Sequence, residues 1–297
     1  LGLLASFAAT LPVAGQPTPA ASVAAPVPAV VAMDRISNEQ VSLLNDSLKK
    51  MLIKQDASLK DVFDQHPRFA LLSPPRANTA IIPALNNPGF QAKHAAYVEL
   101  AKKGDIDLLF MGDSITDFWR NPPKDGQPFT AMAGKAVLDK YWGNVKLANF
   151  GIAGDFTQGV LYRLQNGEGQ GFQPKAIMLM IGTNNTAANT GPEIAEGVGA
   201  IVLEMRKDFP AAKILLLAIF PRDNPGDPKR AINTEANKII AKLDDGKNVF
   251  FMDIGDKFLS PDGTIAPDIM ADKLHPTDKG YEIWAAAVKD KLAELMK

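Results

Sequence analysis

Five short, nearly continuous apolar runs constrain this chain more than any other feature: "IDLLFM" (106–111), "VKLANF" (145–150), "AIMLMI" (176–181), "KILLLAI" (213–219) and "NVFFMD" (248–253). A strand with one face in water alternates apolar and polar residues, whereas a strand covered on both faces has no reason to. Segments with helical apolar spacing separate the runs at 155–166, 192–208 and 228–243, and another follows at 278–296. Strand and helix in strict alternation predict an α/β protein: a parallel, doubly wound sheet of about five strands with helices on both faces. No internal repeat or second core interrupts the pattern.

The N-terminal third has a different texture. "LGLLASFAATLPVAG" reads as the apolar and cleavage regions of a secretory signal peptide whose start is missing, and is too short to span a bilayer as a mature helix. A terminal anchor is the alternative. The Ala/Pro-rich "QPTPAASVAAPVPAVVA" that follows predicts an extended tether. Helices are expected at 38–56 and 91–104, with proline-interrupted irregular chain between His66 and about Phe90. Three parts result: a residual signal and tether (1–33), a helical and irregular extension packing on the core (34–104), and the principal domain (105–297). Export to the periplasm or beyond is the expectation.

Composition removes several chemistries. The 297 residues carry a formal net charge of −1 and show no Lys/Arg run, so a nucleic-acid partner is not expected. Without cysteine there is no disulfide, no thiolate metal site and no cysteine nucleophile. The three histidines, His66, His94 and His275, include no pair at metal-ligand spacing. Oligomeric state stays open.

In a doubly wound sheet, loops leaving the carboxyl ends of the strands share one rim. Four polar, glycine-bearing segments fall there: Gly112-Asp113-Ser114, "NFGIAGDFTQ" (149–158), "GTNNT" (182–186), and "DKLHPTDKGY" (272–281) ahead of the last helix. A serine hydroxyl needs an adjacent base to become a nucleophile, and a histidine base needs a carboxylate to orient it. Asp272 and His275, three apart, suit a helical turn that brings carboxylate to Nδ1 and leaves Nε2 for Ser114. The amide of Gly154, the side chain of Asn184 and the backbone N–H of Ser114 are candidate donors to an oxyanion. Asp113 and Phe156 are candidates to touch substrate; Phe118, Trp119 and Phe156 follow the catalytic loops and read either as lining for an acyl or sugar site or, more in keeping with their type, as core. Seen singly, each segment is equally a turn or an Asx motif; the ordered set is what points to hydrolysis.

"GDSI", "GIAGD", "GTNN" and "DKLHP" resemble the four sequence blocks of the SGNH, or GDSL, hydrolase family. The stretch "NFGIAGDFTQGVLYRLQNGE…PKAIMLMIGTNN" is similar to its platelet-activating-factor acetylhydrolase branch. The resemblance covers about 105–295 and implies a flavodoxin-like three-layer sandwich without cofactor. It also implies Ser114 as nucleophile, His275 as base, Asp272 as its orienter, and Gly154 and Asn184 in the oxyanion hole. Many members read Gly-x-Asn-Asp where this chain has Asn185 in the last place. The expected activity is hydrolysis of short-chain carboxylic esters, acetyl foremost, on a small ester or acetylated carbohydrate. A lipid acetylhydrolase or lysophospholipase, and a non-catalytic glycan-binding module, are the rivals. A nucleotide site is disfavoured because "GEGQG" (167–171) fits no phosphate-loop spacing, and Thr116 breaks the G-x-S-x-G pattern.

Overall fold

In the computed structural model, which describes residues 23–85, 87–122 and 132–297, the five apolar runs form β1 (Leu108–Gly112), β2 (Leu147–Asn149), β3 (Ala176–Met180), β4 (Lys213–Leu217) and β5 (Val249–Met252). All pairings are parallel and the order is β2-β1-β3-β4-β5, with Phe110 in register with Asn149 on one side and Met178 on the other. The flavodoxin-like order thus matches the expected fold class. Its topological switch point lies at the carboxyl ends of β1 and β3, where ligands bind in such sheets.

Alternate residues of each strand feed two separate cores. Leu109, Met111, Ile177 and Leu179 face a layer built by α3 (Phe90–Lys102), α6 (Thr157–Arg163), α7 (Gly191–Asp208) and α8 (Pro228–Ile240). Leu108, Phe110, Met178 and Met180 face α5 (Lys135–Trp142) and α9 (Asp278–Leu295). Every residue of β1 and β3 is buried, which is why those runs carry no polar alternation. The long helices start where the sequence signals them: Thr190 and Glu193 form a capping box on α7, and Thr277 caps α9 through the Gly280 N–H. Trp119 is core, closed in by Trp142, Tyr281 and Trp284.

The extension begins with α1 (Asn38–Gln55), capped by a Ser37–Gln40 box, and α2 (Leu59–Gln65). The sequence signals for α2 were absent because none of its residues is buried, so it has no apolar period to read. The irregular stretch after it crosses α6, where the Ala84 N–H donates to the carbonyl of Gln158 (3.1 Å).

Residues 1–22, which hold the expected signal segment and the first part of the tether, lie outside the described residues. The rest of the expected tether is not extended free chain. The Ala25 N–H donates to the carbonyl of Ile81 (2.7 Å), and Val31 is buried. Pro28 and Val31 sit so close to Gly199 of α7 that a Cβ there would meet Val31 Cγ2 at 2.6 Å. Alanine, valine and proline are small apolar residues, and a glycine on a neighbouring helix gives them a surface to cover. Glu196 of α7 then accepts from the Met33 N–H (2.7 Å), the Asn78 amide (2.8 Å) and Arg35. Among the described residues no helix is long and apolar enough to cross a membrane.

Candidate active site

β1 ends on Gly112, where backbone and side chain leave no room for a Cβ: one would meet Met180 O and Thr116 Oγ1, each at 2.3 Å. Asp113 follows and caps the short helix α4 (Ser114–Asp117) by accepting the Ile115 N–H (3.0 Å). Ser114 therefore occupies the first turn of a helix at the switch point, 6% exposed. Its Oγ lies 2.8 Å from Nε2 of His275, and His275 Nδ1 lies 2.6 Å from Asp272 Oδ2. Serine, imidazole and carboxylate form one hydrogen-bonded chain across 161 residues of sequence.

The Asp272–His275 contact arises differently from the helical turn expected. Asp272 Oδ1 accepts the N–H groups of Leu274 (3.0 Å) and His275 (2.8 Å), while Lys273 adopts φ +59°. This is an Asx-type turn, in which one carboxylate oxygen shapes the backbone and the other meets the imidazole. Partial burial would raise the Asp272 carboxyl, but the hydrogen bonds from His275 outweigh it and pull it down to about 2. The imidazole is flanked by the Phe118 ring, 5.2 Å away between centroids. From α9, the Tyr281 hydroxyl donates to the carbonyl of Ile115 (2.7 Å) and grips the turn that carries the serine.

The second strand-end loop runs along α4. Its Ile152 N–H donates to the carbonyl of Gly112 (3.1 Å), and a Cβ at Gly151 would meet the Asp117 nitrogen at 2.4 Å. Gly154 has φ +86°, a conformation that favours glycine. Asn184, from the loop after β3, donates one amide hydrogen to the carbonyl of Asp155 (2.8 Å), which keeps a second N–H on the same nitrogen. Gly154 and Asn184 are thus tied through the residue next to Gly154. Asn185, where the sequence departs from the commoner family pattern, is fully buried: its Oδ1 accepts the Thr157 N–H (3.0 Å) and its amide donates to Gln158 Oε1 (3.0 Å). It anchors the start of α6.

Two expected substrate contacts fare differently. Asp113 is 1% exposed and spent on its cap, so it sits behind Ser114 and does not face the open side of the site. Burial pushes its carboxyl up to about 7 against the Ile115 hydrogen bond and the nearby His275. Phe156 is half-buried at the entry to α6, with its N–H on Asp155 Oδ1 (2.9 Å).

A charged layer beneath the Gly154 loop escaped sequence reasoning. Asp117 Oδ2 accepts the Ala153 N–H (2.8 Å) and Lys93 Nζ (2.5 Å), and Oδ1 accepts from Arg120. Arg163, with no exposed surface, pairs with Asp155 (2.9 Å) and Glu168 and donates to the carbonyl of Phe150 (3.0 Å). Burial raises the Asp155 carboxyl against the pull of that guanidinium. A signal for Arg163 exists in hindsight: it is a charge on the apolar face of the 155–166 pattern. His66 takes part in no side-chain contact at the site; His94 meets Glu168 (2.8 Å). Among the described residues no group of three or more His, Asp or Glu side chains could hold a metal ion.

Comparison with known proteins identifies the family. Residues 110–283 match the model of the GDSL-like lipase/acylhydrolase family. The chain is 32% identical over 209 residues to the human platelet-activating factor acetylhydrolase IB subunit alpha2, covering 70% of this chain and 85% of that one. It is 30% identical over 204 residues to the rat alpha1 subunit, covering 68% and 82%. In fold it resembles a Streptococcus pneumonia protein provisionally described as a platelet activating factor (TM-score 0.54, 23% identity, 68% of this chain and 92% of that one). A Bacteroides fragilis protein provisionally described as an acylhydrolase is similar too (TM-score 0.53, 17% identity, 72% and 100%). With the sheet order, the ordered strand-end loops and these relatives in hand, the chain belongs to the GDSL-like lipase/acylhydrolase family and is a carboxylic ester hydrolase.

Proposed function

We propose that the enzyme cleaves short-chain esters, acetyl esters foremost, by a serine mechanism centred on Ser114. His275 Nε2 takes the hydroxyl proton as Oγ attacks the acyl carbon, and Asp272 stabilises the imidazolium without itself accepting the proton. The tetrahedral oxyanion is met by the N–H groups of Ser114 and Gly154 and by the free amide hydrogen of Asn184. Collapse breaks the bond to the alkoxide leaving group, which takes the proton from His275. Water, deprotonated by the same imidazole, then releases the carboxylic acid and restores Ser114.

The observation that carries this reading is the unbroken chain from Ser114 Oγ to His275 (2.8 Å) to Asp272 (2.6 Å). Preference for acetyl is supported by the names of the relatives that align over two thirds of the chain, and by aromatic rings that bound the site. Phe118 lies beside His275, and Phe90 lies 3.6 Å from where a Gly154 Cβ would stand. Rates on p-nitrophenyl esters from acetyl to palmitoyl test it, beside a serine-directed phosphonate label mapped by peptide sequencing. Turnover should peak at two to four carbons, with the label on Ser114 and Ser114→Ala slower by about 10⁴-fold or more. A peak at long chains, or a label elsewhere, breaks the proposal. Acetylated xylan and a glycerophospholipid with an sn-2 acetyl group, compared by kcat/KM, separate carbohydrate from lipid sources of the acetyl ester.

A further inference from the structure

One face of α3, in the extension and outside residues 110–283, packs against the loop that carries Gly154 and against the end of α6. Its residues 90, 93, 94 and 97 follow the spacing of a single helical face. Tyr97 donates its hydroxyl hydrogen to the carbonyl of Gly151 (2.8 Å), and its ring stacks on Phe150 with centroids 4.8 Å apart. Lys93 reaches Asp117 Oδ2, the same oxygen that holds the Ala153 N–H. Phe90 covers the side of Gly154. His94 reaches the Asp155 carboxylate through Glu168 and Arg163.

We propose that α3 is the positioning element of the oxyanion loop, with Lys93 and Tyr97 holding its backbone at the geometry the transition state needs. This inference rests on the serine-esterase reading above. The physical argument is that a glycine loop has many backbone states of similar energy, and an oxyanion hole works only if its donors are already aimed. The sheet holds Phe150 and Ile152, and Asn184 holds the Asp155 carbonyl, which leaves the Gly151 carbonyl and the Ala153 N–H to be held by side chains. Tyr97, with Arg120 beside it, holds the carbonyl two peptides upstream of the Gly154 nitrogen, and the Tyr97 hydroxyl in turn accepts from Arg120. Lys93 and Arg120 together neutralise Asp117, one on each carboxylate oxygen, and Lys93 is the partner on the oxygen that grips the Ala153 N–H, so its loss would slacken that grip. Neither side chain has to touch substrate, so both are positioning residues. The helix is outside the region the family model matches, and the chemistry inside that region still depends on it.

The test uses the full chain and p-nitrophenyl acetate. Tyr97→Phe removes one hydroxyl, and Lys93→Met removes the charge from a side chain that is 45% exposed, so both variants should fold. Each should lower kcat about tenfold with KM within about twofold, because a small misplacement of donors is felt in the transition state and not in ground-state binding. Inhibition by phenylboronic acid, which forms a tetrahedral adduct with a serine, should weaken in parallel, while inhibition by acetate should not. Lys93→Arg should recover most of the rate. Lys60→Met, in an exposed pair with Asp64 on α2, is the control and should leave kcat unchanged. Unchanged kcat in both α3 variants, or equal weakening of boronate and acetate, overturns the inference while wild type and Ser114→Ala still differ as expected. If wild type has no ester turnover, or Ser114→Ala keeps it, the parent reading fails and the inference falls with it.

Discussion

The two sides of the site are held in place by opposite means. On the His275 side, one short turn does the work: Asp272 is 41% exposed, its partners lie two and three residues away, and α9 begins directly after. On the Gly154 side the support is buried and distant in sequence. Arg163 has no exposed surface, and its partners Asp155 and Glu168 have 1% and 0%. Exposed pairs interact weakly because water screens them, whereas a buried charge that loses its partner pays the whole desolvation cost. On the proposed mechanism, the difference predicts that the His275 side can be altered with a smaller effect on folding than the Gly154 side, where a loss of rate should come with a loss of stability.

Substitutions on the two sides should therefore fail in different assays. The largest effect is expected on rate. Asp272→Asn keeps the turn but presents the wrong tautomer to the imidazole, so kcat should fall about 10⁴-fold, while the urea unfolding free energy at pH 7 should fall by less than for Arg163→Met. A large loss of stability in that variant would erase the contrast between the sides. The next effect is on folding. Arg163→Met strands two buried carboxylates and should cost about 3–5 kcal/mol in urea unfolding, more at pH 8 than at pH 5, where the carboxyls can take up protons. A cost near that of an exposed pair would show that the buried layer is not what holds the loop.

The smallest effect sharpens the boundary between the sides, where Asp113 sits. Its folded carboxyl, raised to about 7 by burial, keeps its proton between pH 4 and 7 while the unfolded chain has released it. The folded state then binds more protons, so stability falls as pH rises through that window, by at most about 1.4 kcal/mol per pH unit from this group. Asp113→Asn keeps an acceptor for Ile115 and should flatten that slope, measured as the difference in unfolding free energy from wild type at pH 5, 6 and 7. Parallel slopes would mean that Asp113 ionises in the folded protein as it does in the unfolded chain. Asp272 has the opposite sign: its depressed carboxyl adds stability above about pH 4 that is lost as pH falls towards 2.

Much of the architecture was readable in advance. The five apolar runs, the helices near 38–56, 192–208 and 278–296, and the placement of Ser114, Gly154, Asn184 and His275 on strand-end loops all follow from local pattern. The misreadings share one cause. Helix α2 and the packed stretch from Ala25 to Met33 have no period of their own, and Asp113 and Asp272 act through backbone turns that residue type alone does not reveal. Asp117 and Lys93 were invisible for a stronger reason, and Arg163 showed only as a charge on an apolar face. A charged residue looks solvent-exposed in sequence unless its partner is known, and these partners come from other elements.

The sequence by itself determined a parallel sheet, its covered faces, and which residues arrive at one rim, because apolar period and turn chemistry are local properties. Only the tertiary structure decided that the N-terminal extension closes on that rim and that α3 meets the Gly154 loop, because ion pairing and burial depend on distances between segments far apart in the chain.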